Sequence, residues 1–193
     1  MIIDHEKKFL FVCIPKTAST SFRTLFGASL TCLPHIYHKS ITEILAEDPN
    51  LKNYIKAAFV RNPYSRVMSA YQNLVSVSDP GHHELHSEIL SFENFDDFIF
   101  NFQQTNCVNF RHLKTQTSYT HKDGKFMIDF LGKFESLNED FLKLINILGM
   151  ENLSLPHTRA TDYFSPTNDI NPKTRDKICE IYEEDFLNFN YEF

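Results

Sequence analysis

The chain has 193 residues, 42% of them apolar and 19 of them phenylalanine, which is enough to bury the core of a single domain over 1–193. A formal net charge of −6 excludes a general nucleic-acid coat, because non-specific binding to phosphate backbones needs a basic surface. No run approaches the roughly 20 apolar residues that cross a bilayer, and the four scattered cysteines without a CxxC pair indicate free thiols in a reducing compartment. We therefore expect a soluble, cytoplasmic protein in which any anion site is local.

The first third of the chain twice shows the order strand, loop, helix. Phe9–Ile14 is a continuous apolar run, typical of a strand buried on both faces of a parallel sheet, and a helical apolar spacing begins at Phe22. The order recurs at Ile55–Val60, where Pro63 can occupy the first position of the next helix. This alternation favours a parallel sheet covered by helices.

A third unit of this kind is predicted in the second half of the chain. Met127–Phe134 has the pattern of a strand, and Ser136 with Glu139 forms a capping-box pattern before an amphipathic helix that ends at Gly149. A last helix is predicted to open at Asn171-Pro172. Together these units predict an α/β fold, a P-loop-like three-layer sandwich with a central parallel sheet flanked by helices.

The loop after the first strand carries groups that suit a tetrahedral anion. Backbone N–H groups at a helix N-terminus bind anions, hydroxyls add donors, and a lysine supplies a mobile charge. A capped helix with a surface lysine is the structural alternative, because Ser and Thr are common N-cap residues. The loop consists of Pro15, Lys16, Thr17, Ala18, Ser19, Thr20 and Ser21.

The loop after the second strand places an arginine where the strand ends. A guanidinium at the end of a buried strand needs an anionic partner, and Arg61 is followed by Ser69 about two turns into the next helix. An internal ion pair of Arg61 or Arg66 with an acidic side chain is the alternative. Because ligands bind beyond the carboxyl ends of parallel strands, two such loops predict one ligand with two phosphate-like groups.

These two loops resemble the donor-binding motifs of the sulfotransferase family. Pro15–Ser21 is similar to the 5′-phosphosulfate loop of that family, and Arg61–Tyr71 is similar to its 3′-phosphate motif. The likeness is closest to the carbohydrate branch, which includes Golgi enzymes acting on glycosaminoglycans and the HNK-1 epitope. His112–Gln116, Gly132–Glu135 and Tyr182–Phe193 resemble further elements of that branch.

The resemblance implies 3′-phosphoadenosine 5′-phosphosulfate (PAPS) as the donor and adenosine 3′,5′-bisphosphate (PAP) as the product. Lys16 would contact the oxygen bridging phosphate and sulfate, Ser19–Ser21 would hold the 5′-phosphate, and Arg61 with Ser69 would hold the 3′-phosphate. The chemistry agrees, because sulfuryl transfer needs in-line positioning and charge stabilisation at the leaving oxygen. Ala18 departs from the glycine of many relatives, so this turn lacks the conformational freedom of glycine.

The acceptor hydroxyl must lose a proton, so a general base is also expected. His35 and His38 lie shortly after the first helix, where glycosaminoglycan relatives place a catalytic histidine. His38 is ranked first and His35 second, because His38-Lys39-Ser40-Ile41 resembles that element better. A histidine that only hydrogen-bonds within a loop is the alternative for both. His112, Gln116 and Glu135 are assigned to substrate binding, with a structural role left open for His112 and Glu135.

No metal site is predicted. The run Gly81–His86 lacks the His-Glu-x-x-His spacing of zinc-binding helices. The phenylalanine-rich stretches Phe92–Phe102 and Phe126–Phe134 are expected in the core rather than beneath a sugar. The acceptor is expected to be a carbohydrate or glycoconjugate of unspecified identity, because no readable code for it lies in the loops.

Two other functions share some of these features. A P-loop kinase or nucleotide hydrolase has a similar sheet and phosphate loop, but its lysine closes a GxxxxGK[ST] run, whereas Lys16 comes earlier. Asp129 is only a poor match to the magnesium-binding aspartate of those enzymes. The second alternative is a non-catalytic anion- or carbohydrate-binding module on the same fold.

Overall fold

The computed structural model describes residues 1–27, 38–76, 83–150, 153–156 and 170–193. These residues form two compact units, each built from two stretches of the chain. The first comprises the described parts of Met1–Arg61 and Gln116–Thr161, and the second comprises those of Asn62–Thr115 and Asp162–Phe193. The single domain over 1–193 stays a prediction.

The secondary structure of the described residues follows the chain in this order. The strands are β1 (Ile2–Asp4), β2 (Phe9–Val12), β3 (Ile55–Val60), β4 (His121–Lys122), β5 (Lys125–Phe126) and β6 (Phe130–Lys133). The helices are α1 (Ser19–Gly27), α2 (Ile41–Glu47), α3 (Pro63–Ser76), α4 (His83–Ile89), α5 (Phe95–Asn101), α6 (Thr117–Thr120), α7 (Leu137–Ile147), α8 (Pro172–Ile181) and α9 (Glu183–Phe189). Within these ranges no helix is long and apolar enough to span a membrane.

A sheet with the strand order β1-β2-β3-β6 forms the centre of the first unit. β2, β3 and β6 are parallel, and β1 pairs antiparallel with β2. All of β2 is buried, as its continuous apolar sequence predicts. The predicted α/β class with a mostly parallel sheet is confirmed, and β3 covers the predicted Ile55–Val60.

Phenylalanines join this sheet to two helices of the same unit. Phe22 of α1 stacks on Phe11 of β2 with ring centroids 4.4 Å apart, and its centroid lies 4.8 Å from that of Phe59 in β3. The Phe141 ring of α7 lies 5.9 Å from Phe22. Burying a side chain of this size stabilises the fold by about 1.5–3 kcal/mol. The cluster therefore fixes the start of α1 and the loop before it against β2.

The third predicted strand differs from the structure. Met127–Phe134 was too long a prediction, because β6 spans only Phe130–Lys133. Before β6, the pair β4-β5 forms a hairpin whose turn residues Asp123 and Gly124 have φ of 50° and 72°. Positive φ at both central residues is the requirement of a type I′ turn. Phe126 of β5 is 47% exposed, so its assignment to the core is wrong.

The capping box predicted at Ser136 and Glu139 is also wrong. The Ser136 hydroxyl makes no cap bond to the backbone and instead donates to Oδ2 of Asp140 at 2.7 Å. The end of α7 follows the prediction, because Gly149 lies just beyond it with φ of 60°. Glycine adopts this left-handed conformation without strain.

Both predicted helix starts that contain proline are confirmed in the second unit. α3 begins at Pro63, and the side chain of Asn62 accepts a hydrogen bond from the Tyr64 N–H at 3.0 Å. α8 begins at Pro172, and Asn171 caps it in the same way. Proline suits the first helical position because its missing N–H would have no partner within the helix.

Arg66 of α3 is fully buried within the second unit. Its Nη1 donates to the His112 carbonyl at 3.1 Å, and its Nη2 donates to the Lys114 carbonyl at 2.6 Å. Nη2 also lies 3.9 Å from Oδ2 of Asp185, which is equally buried. The internal ion pair considered for this arginine is confirmed, since a buried charge without a partner would cost several kcal/mol.

Candidate functional site

The loop between β2 and α1 contains two residues in the left-handed conformation. Lys16 has φ of 67° and Ala18 has φ of 63°, and neither is glycine. Between them, the buried Thr17 donates its hydroxyl to the Ile14 carbonyl at 2.9 Å. Left-handed residues that alternate with others turn successive N–H groups toward one concave side, where an anion binds. The loop thus combines anion-binding backbone geometry with the start of α1.

The hydroxyl residues predicted to hold the 5′-phosphate lie in the first turn of α1. Ser19 is buried, Ser21 is half-buried, and Thr20 is exposed and accepts a hydrogen bond from Nη2 of Arg23 at 3.2 Å. Their binding roles, and those of Pro15 and its neighbours, stay predictions. Their location agrees with a helix N-terminus that faces an anion.

Replacing Ala18 with glycine is expected to change the free energy of unfolding in the opposite direction from the same replacement of an alanine inside a helix. Ala18→Gly should leave the free energy of unfolding unchanged or raise it by up to about 1 kcal/mol, because relief of about 1–2 kcal/mol of left-handed strain exceeds the entropic cost of glycine. Ala18→Val should lower it, since β-branched residues rarely adopt positive φ. Thermal and urea unfolding measure both changes.

Ala70 provides the matched control for this prediction. It is fully buried in α3, and Ala70→Gly should lower the free energy of unfolding by at least about 1 kcal/mol. An equal loss in Ala18→Gly and Ala70→Gly would contradict the left-handed conformation of the loop.

Arg61 follows the last residue of β3 and contacts the Lys16 loop. Its Nη1 donates to the Lys16 carbonyl at 3.3 Å, and its guanidinium carbon lies 4.3 Å from the ring centroid of Phe134. The two loops predicted to act together are therefore joined by a direct hydrogen bond in the first unit. A guanidinium that rests on an aromatic face still presents its N–H edge to an anion.

Gln116 occupies a different place from the one expected for a substrate ligand. It is fully buried, its Oε1 accepts from the Arg61 N–H at 2.8 Å, and its Nε2 donates to the Arg61 carbonyl at 2.8 Å. Both ends of the amide are thus used within the protein. Acceptor binding by Gln116 gains no support from this geometry and stays a prediction.

His38 is held by the end of the strand that precedes the Lys16 loop. Its Nδ1 lies 2.7 Å from the Cys13 carbonyl oxygen. Because a carbonyl only accepts, Nδ1 carries the hydrogen, and the neutral ring has its lone pair on Nε2. Two residues later, Ser40 and Glu43 form a reciprocal capping box at the start of α2. His35, the second candidate base, lies outside the described residues.

The remaining predicted site residues have contacts of other kinds. Ser69 is buried in α3 of the second unit. His112, in the same unit, has its ring centroid 4.6 Å from that of Phe110, and its carbonyl accepts from Arg66. Glu135 is exposed in a 3₁₀ turn of the first unit. The predicted roles of Ser69, His112 and Glu135 stay predictions.

Asp129 lies at the wrong end of the sheet for a magnesium-binding aspartate. It precedes β6, and its Oδ2 lies 2.8 Å from both Nζ and the backbone N of Lys56 near the start of β3. Burial alone would raise the pKa of Asp129, but the hydrogen bonds and charge of Lys56 outweigh it and lower the pKa. Phosphate loops and their metal ligands lie at the opposite, carboxyl ends of the strands.

The histidine-rich run Gly81–His86 falls partly outside the described residues. Within it, Nδ1 of His86 donates to the Leu74 carbonyl at 2.6 Å. Across the part of the chain that the structure describes, no three His, Cys, Asp or Glu side chains are grouped as metal ligands.

Fold and loops together are those of α/β proteins that bind phosphate-like anions at the carboxyl ends of parallel strands. The chain belongs to the sulfotransferase family, whose model matches residues 1–192. The predicted resemblance of the chain to this family is thereby confirmed.

The chain is also similar to carbohydrate sulfotransferases of vertebrates. It is 25% identical to carbohydrate sulfotransferase 11 of Rattus norvegicus and of Mus musculus over 242 residues, which covers 99% of this chain and 66% of each relative. The Danio rerio protein of the same name is 24% identical over 236 residues, with the same coverage. The chain thus spans just under two thirds of the length of these relatives. No solved structure matches it.

Sequence reasoning missed three contacts of the site. They are the Cys13 carbonyl beneath His38, the Phe134 ring beneath Arg61, and the Gln116 amide on the Arg61 backbone. Each joins residues far apart in the chain through a backbone atom or a ring face. Only Gln116 carried a usable signal, because a polar side chain in a stretch that the fold buries needs internal partners.

Proposed function

We propose that the protein is a sulfotransferase that moves the sulfuryl group of PAPS to a hydroxyl of a carbohydrate acceptor. The observation that carries the proposal is the hydrogen bond from Arg61 to the Lys16 carbonyl. It brings together two cationic residues from the loops after adjacent parallel strands, as a donor with two separate phosphate groups requires. Membership of the sulfotransferase family and the carbohydrate sulfotransferases among its relatives support the same activity.

On the donor side, the Lys16 loop binds the 5′-phosphosulfate and Arg61 binds the 3′-phosphate. The backbone N–H groups around Lys16 and Ala18, with the hydroxyls at the start of α1, hold the non-transferred oxygens. The Lys16 ammonium stabilises the negative charge that develops on the bridging oxygen as the S–O bond breaks. Ser69 is the further hydroxyl that the family likeness assigns to the 3′-phosphate.

On the acceptor side, His38 is the general base. Nε2 takes the proton of the acceptor hydroxyl while the hydroxyl oxygen forms the new bond to sulfur. PAP leaves with the electron pair of the broken S–O bond. The hydrogen bond from Nδ1 to the Cys13 carbonyl keeps the ring in the tautomer that can accept this proton. His112 and Glu135 are proposed to contact the acceptor.

The alternatives have less support. A magnesium-dependent kinase or hydrolase needs an aspartate at the carboxyl ends of the strands, whereas Asp129 pairs with Lys56 at the other end. A module without catalysis would bind the donor but transfer nothing.

Isothermal titration with PAP and with ATP and Mg²⁺ tests the proposal. We expect PAP to bind at least about tenfold more tightly than Mg-ATP, because only PAP carries both phosphate positions. Tight binding of Mg-ATP without binding of PAP would overturn the proposal. Transfer from sulfur-labelled PAPS to a panel of glycans then separates an enzyme from a binding module.

A further inference from the structure

The side chain of Gln116 pairs with Arg61 as a neighbouring β-strand would. The Arg61 N–H and carbonyl each form a 2.8 Å hydrogen bond with the primary amide of Gln116. The paired register between β3 and β6 ends one residue earlier, at Val60 and Lys133. Gln116 therefore supplies to Arg61 the backbone pairing that the sheet supplies to the residues before it.

This pairing fixes the backbone from which the guanidinium extends. Because one amide carries one acceptor and one donor at a set spacing, it matches one N–H and one carbonyl and restricts rotation of the Arg61 backbone. The guanidinium then reaches the Phe134 ring and the Lys16 carbonyl. Gln116 is itself fully buried, so its own position is restricted by packing.

We propose that Gln116 is a positioning residue for the 3′-phosphate half of the donor site. It acts through Arg61: the amide holds the backbone of Arg61, and the guanidinium is thereby oriented toward the phosphate before the ligand arrives. The inference rests on the proposed function, in which Arg61 binds the 3′-phosphate. Loss of the Gln116 amide should therefore weaken binding of the 3′-phosphate and leave binding of the 5′-phosphate unchanged.

Gln116→Leu tests this selectivity with two nucleotides that differ in one group. PAP carries the 3′-phosphate, and adenosine 5′-monophosphate does not. We expect the affinity for PAP to fall about tenfold and that for the monophosphate to fall less than about twofold, because two hydrogen bonds that orient Arg61 are lost. Loss of folded protein would lower the number of binding sites for both ligands equally.

Thr105→Val is the matched control for this experiment. Thr105 is also buried, and it donates its hydroxyl to the Phe102 carbonyl at 2.7 Å rather than to Gln116 or Arg61. It should leave the ratio of the two affinities at the wild-type value. A ratio changed as much by Thr105→Val as by Gln116→Leu would overturn the inference.

Gln116→Glu adds a readout that packing alone would not produce. A neutral carboxyl has one acceptor and one donor oxygen, so it can replace both bonds of the amide, whereas a carboxylate can only accept. Burial favours the neutral acid. The PAP affinity of Gln116→Glu, relative to the wild type at the same pH, should therefore recover as the pH falls from about 8 to about 5. Gln116→Leu should show no recovery.

The outcomes separate this inference from the proposed function. If the wild type does not bind PAP, the proposed function fails. If the wild type binds PAP but Gln116→Leu keeps the wild-type ratio of affinities, or Gln116→Glu still binds PAP as weakly at about pH 5 as Gln116→Leu does, the positioning role is wrong while the function stands.

Discussion

Lys16→Ala is expected to lower the rate of sulfuryl transfer roughly a hundredfold to a thousandfold, or about 2.7–4 kcal/mol in the barrier. The ammonium would stabilise charge on the bridging oxygen, and this charge develops only as the S–O bond breaks. The effect therefore falls mainly on kcat, whereas the affinity for PAP falls less. Steady-state kinetics with labelled PAPS, together with titration of PAP, measure the two quantities separately.

The backbone of the loop makes this substitution a clean test of the side chain. Lys16 has φ of 67°, and alanine at this position keeps the same left-handed strain, so the loop geometry changes little. Lys143→Ala is the control, because Lys143 is an exposed lysine of α7 paired with Asp140. Unchanged transfer in Lys16→Ala would show that the mechanism is wrong even if PAP still binds.

The parts of the fold that sequence reasoning predicted correctly depend on local patterns. The run Ile55–Val60 is apolar except for Lys56, as suits the buried strand β3, and Pro63 and Pro172 start helices because a missing N–H is harmless at the first position. Such signals lie within a few residues of the element they describe. The hydroxyls and lysine of Pro15–Ser21 are contiguous in the same way, and anion binding by this loop stays a prediction.

The errors arose where two local signals competed. Lys122-Asp123-Gly124-Lys125 is a hairpin signal, because Asp-Gly suits a type I′ turn, but the apolar run after it was read as one long strand. At Ser136, the capping pattern is present in sequence, yet the hydroxyl is taken by Asp140, which also accepts from the Lys133 N–H at 2.9 Å. In both cases the deciding contacts join residues only a few positions apart in the chain.

The two arginines of the second loop show the limit of pattern reasoning most clearly. Arg61 and Arg66 lie five residues apart, and either suited an ion pair or an anionic ligand. The structure distinguishes the two by their partners. Arg66 is enclosed by two carbonyls and Asp185, whereas Arg61 extends from the end of β3 toward Lys16. Which arginine forms the internal ion pair depends on where the acidic and carbonyl groups lie in three dimensions, and the local sequence pattern does not contain that information.

His38→Gln is expected to lower kcat about a hundredfold to ten-thousandfold without weakening PAP binding, because a positioned base contributes that much to proton transfer. Glutamine keeps an N–H that can donate to the Cys13 carbonyl, but it cannot take up a proton at neutral pH. Transfer by the wild type should also fall at acidic pH as the base becomes protonated. This acidic limb should be absent from the pH profile of the variant.

His86→Gln is the matched control, because its Nδ1 donates to the Leu74 carbonyl at 2.6 Å in the same manner. It should keep both the wild-type kcat and the acidic limb, since the proposed mechanism gives His86 no part in proton transfer. His35→Gln completes the comparison of the two candidate bases. If His35→Gln removes the acidic limb and His38→Gln retains it, the bond from His38 to Cys13 is structural and His35 is the base.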